Sequence, residues 1–184
     1  EAAPHTVTGL DASPGFVAHA HSRLEGSHIH FLVGDLQALP LVDAAFDVAV
    51  SGLVLNFVTD QFRAVREIAR GVRPGGAVAM YVWVYAGGMQ FIRCFWKAAI
   101  ALNPAAAALN QGERFPICQP EPLAALLQSV GLQAVEVQAI DIQTVFRSFD
   151  DYWSPLLGGQ GPAPAYTMSL GETERLALRE RLHT

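Results

Sequence analysis

Cysteine is scarce in this chain, which carries only Cys94 and Cys118. Two thiols in 184 residues make neither a disulfide framework nor a paired-cysteine metal knuckle, so both are expected as free thiols in the interior. Charge is sparse too. Charged residues make up 16% of the chain, the formal net charge is −5, and no run of Lys or Arg occurs. That removes the footprint a phosphate backbone requires, and a nucleic-acid partner is not expected. Long apolar runs are also missing. AVAMYVWVYA, at 77–86, is about half of the ~20 residues that span a bilayer, and no basic-then-apolar leader pattern opens the sequence. The expectation is a soluble, cytoplasmic protein without a membrane partner.

Histidines cluster at HAH (19–21) and HIH (28–30). Two positions apart on a helix sets His19 and His21 about 200° from each other, whereas helical metal pairs stand at i,i+4. His28 and His30 can share one face of a strand, but a single pair is a poor ligand set. No metal site is expected.

What the chain does have is 51% hydrophobic residues, enough for a sizeable core in one domain. Strand and helix signals alternate over the first eighty residues. Residues 6–10 read as a strand, and Ser13 caps a helix that begins at Pro14 and runs to about Leu24, where EGSH breaks it. HIHFLV is a second strand, ending at Gly34-Asp35. FDVAVSGLVL is a third, apolar enough for burial on both faces. Thr59 or Asp60 caps a helix with Phe62, Val65, Ile68 and Ala69 on one face. RPGG then turns the chain into a fourth buried strand, AVAMYVWVY. Beyond it come a helix near 89–102, an Ala-rich connection, a helix in PEPLAALLQSVGL closed by Gly131, and a strand over about 133–145. The Gly/Pro-rich stretch 158–169 reads as a mobile loop, and Ser169 with Glu172 as a capping box for a last helix.

Apolar strands separated by helices imply right-handed βαβ units: an α/β, doubly wound, mostly parallel sheet. Ligands of such sheets bind beyond the carboxyl ends of the strands, which here bring Asp11, Asp35, Ser51, Gly52 and Tyr85 into question. A carboxylate there suits the two hydroxyls of a ribose. Asp11 could instead cap the helix after it. Ser13 and Pro14 already supply that start, so ribose binding is the reading taken.

Three stretches narrow the nucleotide. VTGLDASPGFVAHA, FLVGDLQALPLVDAAFDVAVSGLVLNFV and AVREIARGVRPGGAVAM together resemble the class I S-adenosylmethionine-dependent methyltransferases, in the group related to the ubiquinone and menaquinone biosynthesis enzymes (methyltransferase type 11). The resemblance covers residues 6 to about 83 in order and spacing. It implies a Rossmann-like methyltransferase fold with S-adenosylmethionine as cofactor. Asp11 would hold the ribose, with Ala12 beneath the adenine. Asp35 would accept from the adenine amino group and the backbone of Leu36 would touch the ring edge. The backbone at Ser51 would lie near the methionine moiety. Asn56 stands where many relatives carry histidine, at the pocket mouth, and Trp83 and Tyr85 are further candidates for lining the acceptor pocket. For those two aromatics, core packing is the competing reading. Residues 1–86 would form the cofactor side and 87–184 the substrate side of a single domain.

The resemblance also implies what is missing. The glycine loop and central strand expected before Asp11 are not in the sequence, and the last antiparallel strand would fall beyond Thr184, so the fold is incomplete at both ends. Two strand edges are therefore expected open, filled by more of the same polypeptide, by another copy in a homodimer, or by different pairing. The function implied is methyl transfer to a small molecule by in-line displacement. The alternatives are a non-catalytic binding or assembly module of the same fold and, third, a nicotinamide-dependent dehydrogenase, which GDLQALP and the lack of a visible Tyr-Lys pair disfavour.

Overall fold

The computed structural model describes residues 4–24, 26, 28–158 and 160–183. The break read at 25–28 thus lies partly outside the described residues. The chain divides into two compact units: Glu1–Val82 with Ala125–Val135, and Trp83–Ala124 with Glu136–Thr184.

The first unit runs β1 (Val7–Asp11), α1 (Pro14–Arg23), β2 (Ile29–Val33), β3 (Phe46–Gly52), α2 (Gln61–Gly71) and β4 (Val72–Tyr81). β1 pairs in parallel with β2, Asp11 opposite Val33. β3 pairs in parallel with β4, Ser51 opposite Met80 and Gly52 opposite Tyr81. These are two separate two-stranded sheets. Among the described residues β1 and β3 therefore each carry a ladder on one side only. The consequence reaches the side chains. β3 reads from its sequence as buried on both faces, yet Val48 and Val50, which share a face, are 55% and 69% exposed. Burial on both faces needs a covering layer on each, and an apolar run cannot by itself supply one.

Both helix starts follow from side-chain chemistry. Ser13 Oγ accepts from the Phe16 amide at 3.3 Å, with Pro14 in the first turn of α1. Asp60, of the two candidates, caps α2 by accepting from the Arg63 amide at 2.9 Å. The buried stripe of α2 is Ala64, Val65 and Ile68, while Phe62, expected inside, is exposed.

RPGG is not a turn before β4 but part of it. β4 starts at Val72, opposite Phe46, and the register shifts between Phe46 and Val48 to absorb a bulge. Gly75 has φ +79°, and a Cβ on Gly76 would stand 2.5 Å from the Asp47 carbonyl oxygen. The strand also ends sooner than expected, at Tyr81. Its partner runs out there: Leu53, with φ +58°, turns away after its amide takes the Tyr81 carbonyl at 2.9 Å. Trp83 and Tyr85 lie past the strand.

The second unit contains α3 (Gln90–Leu102), α4 (Gln111–Arg114), the start of α5 (Pro120–Ser129), α6 (Phe149–Trp153), α7 (Pro162–Ser169) and α8 (Glu172–His183). Its core gathers Phe95, Trp96, Trp153, Leu156, Tyr166 and Leu178. The Trp96 indole donates to Gln111 Oε1 at 2.5 Å, which satisfies both buried polar groups. Three expectations fail here. Residues 133–145 join no ladder, because an alternating pattern makes a strand only where a partner lies alongside. Residues 162–169, read as loop, are α7, since prolines in a first helical turn cost no hydrogen bond. Ser169 ends α7 and donates to the Tyr166 carbonyl; Glu174, not Glu172, reaches back to the Gly171 amide at 3.0 Å.

The thiols differ as well. Cys118 is buried, and that burial pushes its pKa up to about 11, but Cys94 is exposed on α3, contrary to expectation. A raised pKa removes thiolate at pH 8. Treatment of the native protein with an aromatic disulfide reagent at that pH is expected to release one equivalent quickly, from Cys94, and the second only in denaturant. Two fast equivalents would contradict the burial of Cys118.

Candidate functional site

The site is assembled from the carboxyl ends of the strands in the first unit. Asp11 closes β1. Its backbone carbonyl accepts from the Gly34 amide at 3.0 Å, so the ends of β1 and β2 are tied together and Asp35 follows directly after that tie. Asp11 is half-buried. Its Oδ1 accepts from the Ser13 amide at 2.7 Å, while Oδ2 accepts from no described residue. The contact with the Ser13 amide, just before the helix, thus occupies one oxygen of the Asp11 carboxylate. Ala12, exposed, sits between them.

Asp35 is exposed, and its carboxylate is fixed from one side. Oδ1 accepts from the Gln37 amide at 2.9 Å and from Gln37 Nε2 at 3.2 Å; Oδ2 accepts from Nε2 at 3.3 Å. The backbone N–H of Gln37, then its side chain, hold the Asp35 carboxyl below its ordinary 3.8. The contact thus depends on an ionised group that persists to a lower pH than an unpaired aspartate would. Leu36 is half-buried in the turn that brings the Ala38 amide to the Asp35 carbonyl at 3.0 Å.

The rest of that loop is held by α2. Arg70 donates to the carbonyls of Leu41 and Leu39 at 2.8 and 3.1 Å, to Asp43, and in bidentate fashion to Glu67 at 3.1 and 2.8 Å. Glu67 in turn accepts from the Leu39 amide at 3.2 Å. The Arg70 guanidinium holds the Glu67 carboxyl below its ordinary 4.5. A depressed folded value means that the clamp stabilises the loop fully above about pH 4.5 and loses that contribution as pH falls through the lowered value. Carboxyl titration of Glu67 by NMR is expected to show a midpoint under 4.5. A midpoint at or above it would contradict the clamp.

Ser51, half-buried, closes β3 opposite Met80. Tyr81, opposite Gly52, lays its ring over that glycine where a Cβ would stand. Asn56 is buried at 5% exposure, in the short turn Leu55–Phe57, and its Nδ2 has no partner among the described residues. A buried unpaired donor is costly and calls for an acceptor.

In the second unit Trp83 is 37% exposed and Tyr85 is buried, its ring 5.7 Å from that of Phe115. Sequence reasoning passed over Gln37, Glu67, Arg70 and Tyr81. For Tyr81 a signal existed, a glycine placed opposite an aromatic at the strand ends. The ties of Gln37 and Arg70 are long-range and left none. Among the described residues no group of three or more His, Cys, Asp or Glu could hold a metal ion, and no helix is long and apolar enough to cross a membrane.

Residues 1–80 match the family model described as "Methyltransferase domain". The malonyl-[acyl-carrier protein] O-methyltransferase of Serratia marcescens is 37% identical over 91 residues, which are 50% of this chain and 34% of that protein. Its counterpart in Salmonella typhimurium is 36% identical over 92 residues, 50% of this chain and 36% of that protein. The matched stretch thus spans about a third of the length of these curated relatives. Among solved structures, a chain of the complex containing the Haloferax volcanii Trm112 methyltransferase activator superposes with a TM-score of 0.53 at 23% identity, over 72% of this chain and 53% of that one. The [4+2]-cyclase SpnF superposes with 0.52 at 20% identity, over 96% of this chain and 58% of that one. The fold is accordingly the Rossmann-like α/β one of these solved structures.

Proposed function

We propose that this chain, whose first 80 residues match the methyltransferase-domain family, carries part of an enzyme that transfers a methyl group from S-adenosylmethionine to a small-molecule acceptor, free or carrier-linked, in the cytoplasm. The observation that carries the reading is the pair of carboxylates at tied strand ends, Asp11 and Asp35, each with acceptor capacity remaining on Oδ2.

Those two acceptors suit the cofactor. A ribose offers two hydroxyl donors for Asp11 Oδ2, and an adenine amino group offers an N–H for Asp35 Oδ2. In this reading Ala12 lies beneath the adenine, the Leu36 backbone meets its edge and the Ser51 backbone lies near the methionine end. Asn56 is assigned to the acceptor, and its unpaired Nδ2 supports a hydrogen-bonding role for it.

Bound S-adenosylmethionine supplies a methyl group already activated by its sulfonium. The protein's own task is orientation: holding nucleophile, methyl carbon and leaving sulfur in line, which can contribute roughly 7 to 11 kcal/mol. No acid or base is compulsory unless the acceptor must lose a proton. Calorimetric titration with S-adenosylmethionine, on protein expressed from the whole open reading frame that carries these residues, tests the reading. Heat of binding with one site per chain is expected, and silence at millimolar ligand would reject it.

A further inference from the structure

The amide of Gln37 faces two neighbours of opposite demand, and together they leave it one orientation. On one side stand two donors from the start of α2: the Thr59 hydroxyl and the Asp60 backbone amide, each 2.9 Å from Gln37 Oε1. On the other stands the Asp35 carboxylate, which only accepts. Flipping the amide would set its NH2 against the Asp60 backbone N–H, which can only donate, and its oxygen against a carboxylate. The oxygen is therefore committed to the α2 cap and Nε2 to Asp35. The Gln37 main-chain amide adds a second donor to Asp35 Oδ1.

The carboxylate is thus held by two donors of one residue, and that residue is anchored to a helix start, itself ordered by the Asp60 cap on the Arg63 amide. The same helix pins the far end of the loop through Arg70 and Glu67. Oδ1 takes two of the three contacts. Oδ2, with a single contact, keeps the greater capacity to accept a ligand's N–H.

We propose that Gln37 is a positioning residue that sets base selectivity: latched to the start of α2, it orients the Asp35 carboxylate for an exocyclic amino group and against a carbonyl at the same place on the purine. This rests on the assignment of Asp35 to the adenine of the cofactor. A carboxylate fixed in this way rewards a 6-amino group with a charge-assisted hydrogen bond and opposes a 6-oxo group by lone-pair repulsion. Freed to rotate, it would do both less well.

The test compares S-adenosylhomocysteine with S-inosylhomocysteine, which differ in the 6-substituent and, with it, in the proton on N1. Both are titrated into protein from the whole open reading frame, as wild type, Gln37→Leu, Gln37→Glu and Asp35→Asn. Gln37→Leu removes both ends of the latch; Gln37→Glu keeps the shape but replaces the donor to Asp35 with an acceptor. Each is expected to weaken adenosyl binding roughly tenfold while leaving inosyl binding within about twofold, so that discrimination collapses. A fold defect would weaken both ligands together. Independently of any ligand, the Asp35 carboxyl followed by NMR is expected to titrate closer to 3.8 in Gln37→Leu than in wild type. If Asp35→Asn loses discrimination and the Gln37 variants keep it, the latch is overturned and the assignment of Asp35 stands. If Asp35→Asn binds both ligands as wild type does, or wild type binds neither, the assignment falls and this proposal with it.

Discussion

Asp11→Asn is expected to weaken S-adenosylmethionine binding by about a hundredfold, with the helix that follows left intact. Asparagine keeps an oxygen for the Ser13 amide, so the start of α1 survives, as does the independent Ser13 cap on Phe16. What it removes is the negative charge and one acceptor oxygen from the side assigned to the ribose. Hydrogen bonds to charged groups are worth about 1.5 to 3 kcal/mol each, and a two-hydroxyl contact reduced to a neutral one loses about that much in sum. Two readouts separate the possibilities: calorimetric affinity, and far-UV circular dichroism for the helix. Lost binding with unchanged helix content supports the ribose assignment. Unchanged binding would return Asp11 to a purely capping role.

Gly76→Ala is expected to destabilise the protein by about 3 kcal/mol, a large cost for one methyl group. The added Cβ would stand 2.5 Å from the Asp47 carbonyl oxygen and 3.0 Å from that of Arg73, both backbone atoms in the bulged part of the β3–β4 ladder. Backbone in a ladder cannot step aside as an exposed side chain can, so the strain must be absorbed by separating the strands. Gly158→Ala is the matched control: nothing lies within 4 Å of its Cβ, and a change within about 0.5 kcal/mol is expected. Urea denaturation of the three proteins decides the matter. Equal midpoints for Gly76→Ala and wild type would mean that the bulge is not packed as described.

These two residues also mark how far the sequence could be read. Asp11 was legible because everything that places it is local: an apolar run, an acid, then Ser13 and Pro14 at a helix start. The same holds for β2, the Asp60 cap and α3, whose signals fit within a turn or two of chain. Gly76 was misread as turn, because Pro-Gly-Gly has the composition of one and only the facing strand shows that it bulges within a ladder. Residues 133–145 failed for the converse reason. Their alternation is real, but pairing is a property of two segments, and among the described residues no second segment pairs with them. Residues 162–169 misled because Gly and Pro mark loops and first helical turns alike. Within the candidate site, the acids are legible as candidates in the sequence and the side chains that fix them are not. Gln37, Glu67 and Arg70 act across a loop of no regular pattern, and only the fold brings them to it.

The division of the strands into two separate pairs has a kinetic meaning. β1, α1 and β2 close one crossover unit, and β3, α2 and β4 close another, with no ladder bond between them among the described residues. A local opening that breaks one ladder leaves the amides of the other still bonded. For residues 1–184 taken alone, native-state hydrogen exchange should therefore resolve two families of strand amides, each opening as its own cooperative unit with its own denaturant dependence. Loop 35–44, fastened to α2 by Gln37, Glu67 and Arg70, should exchange with the second family although it follows directly from the first.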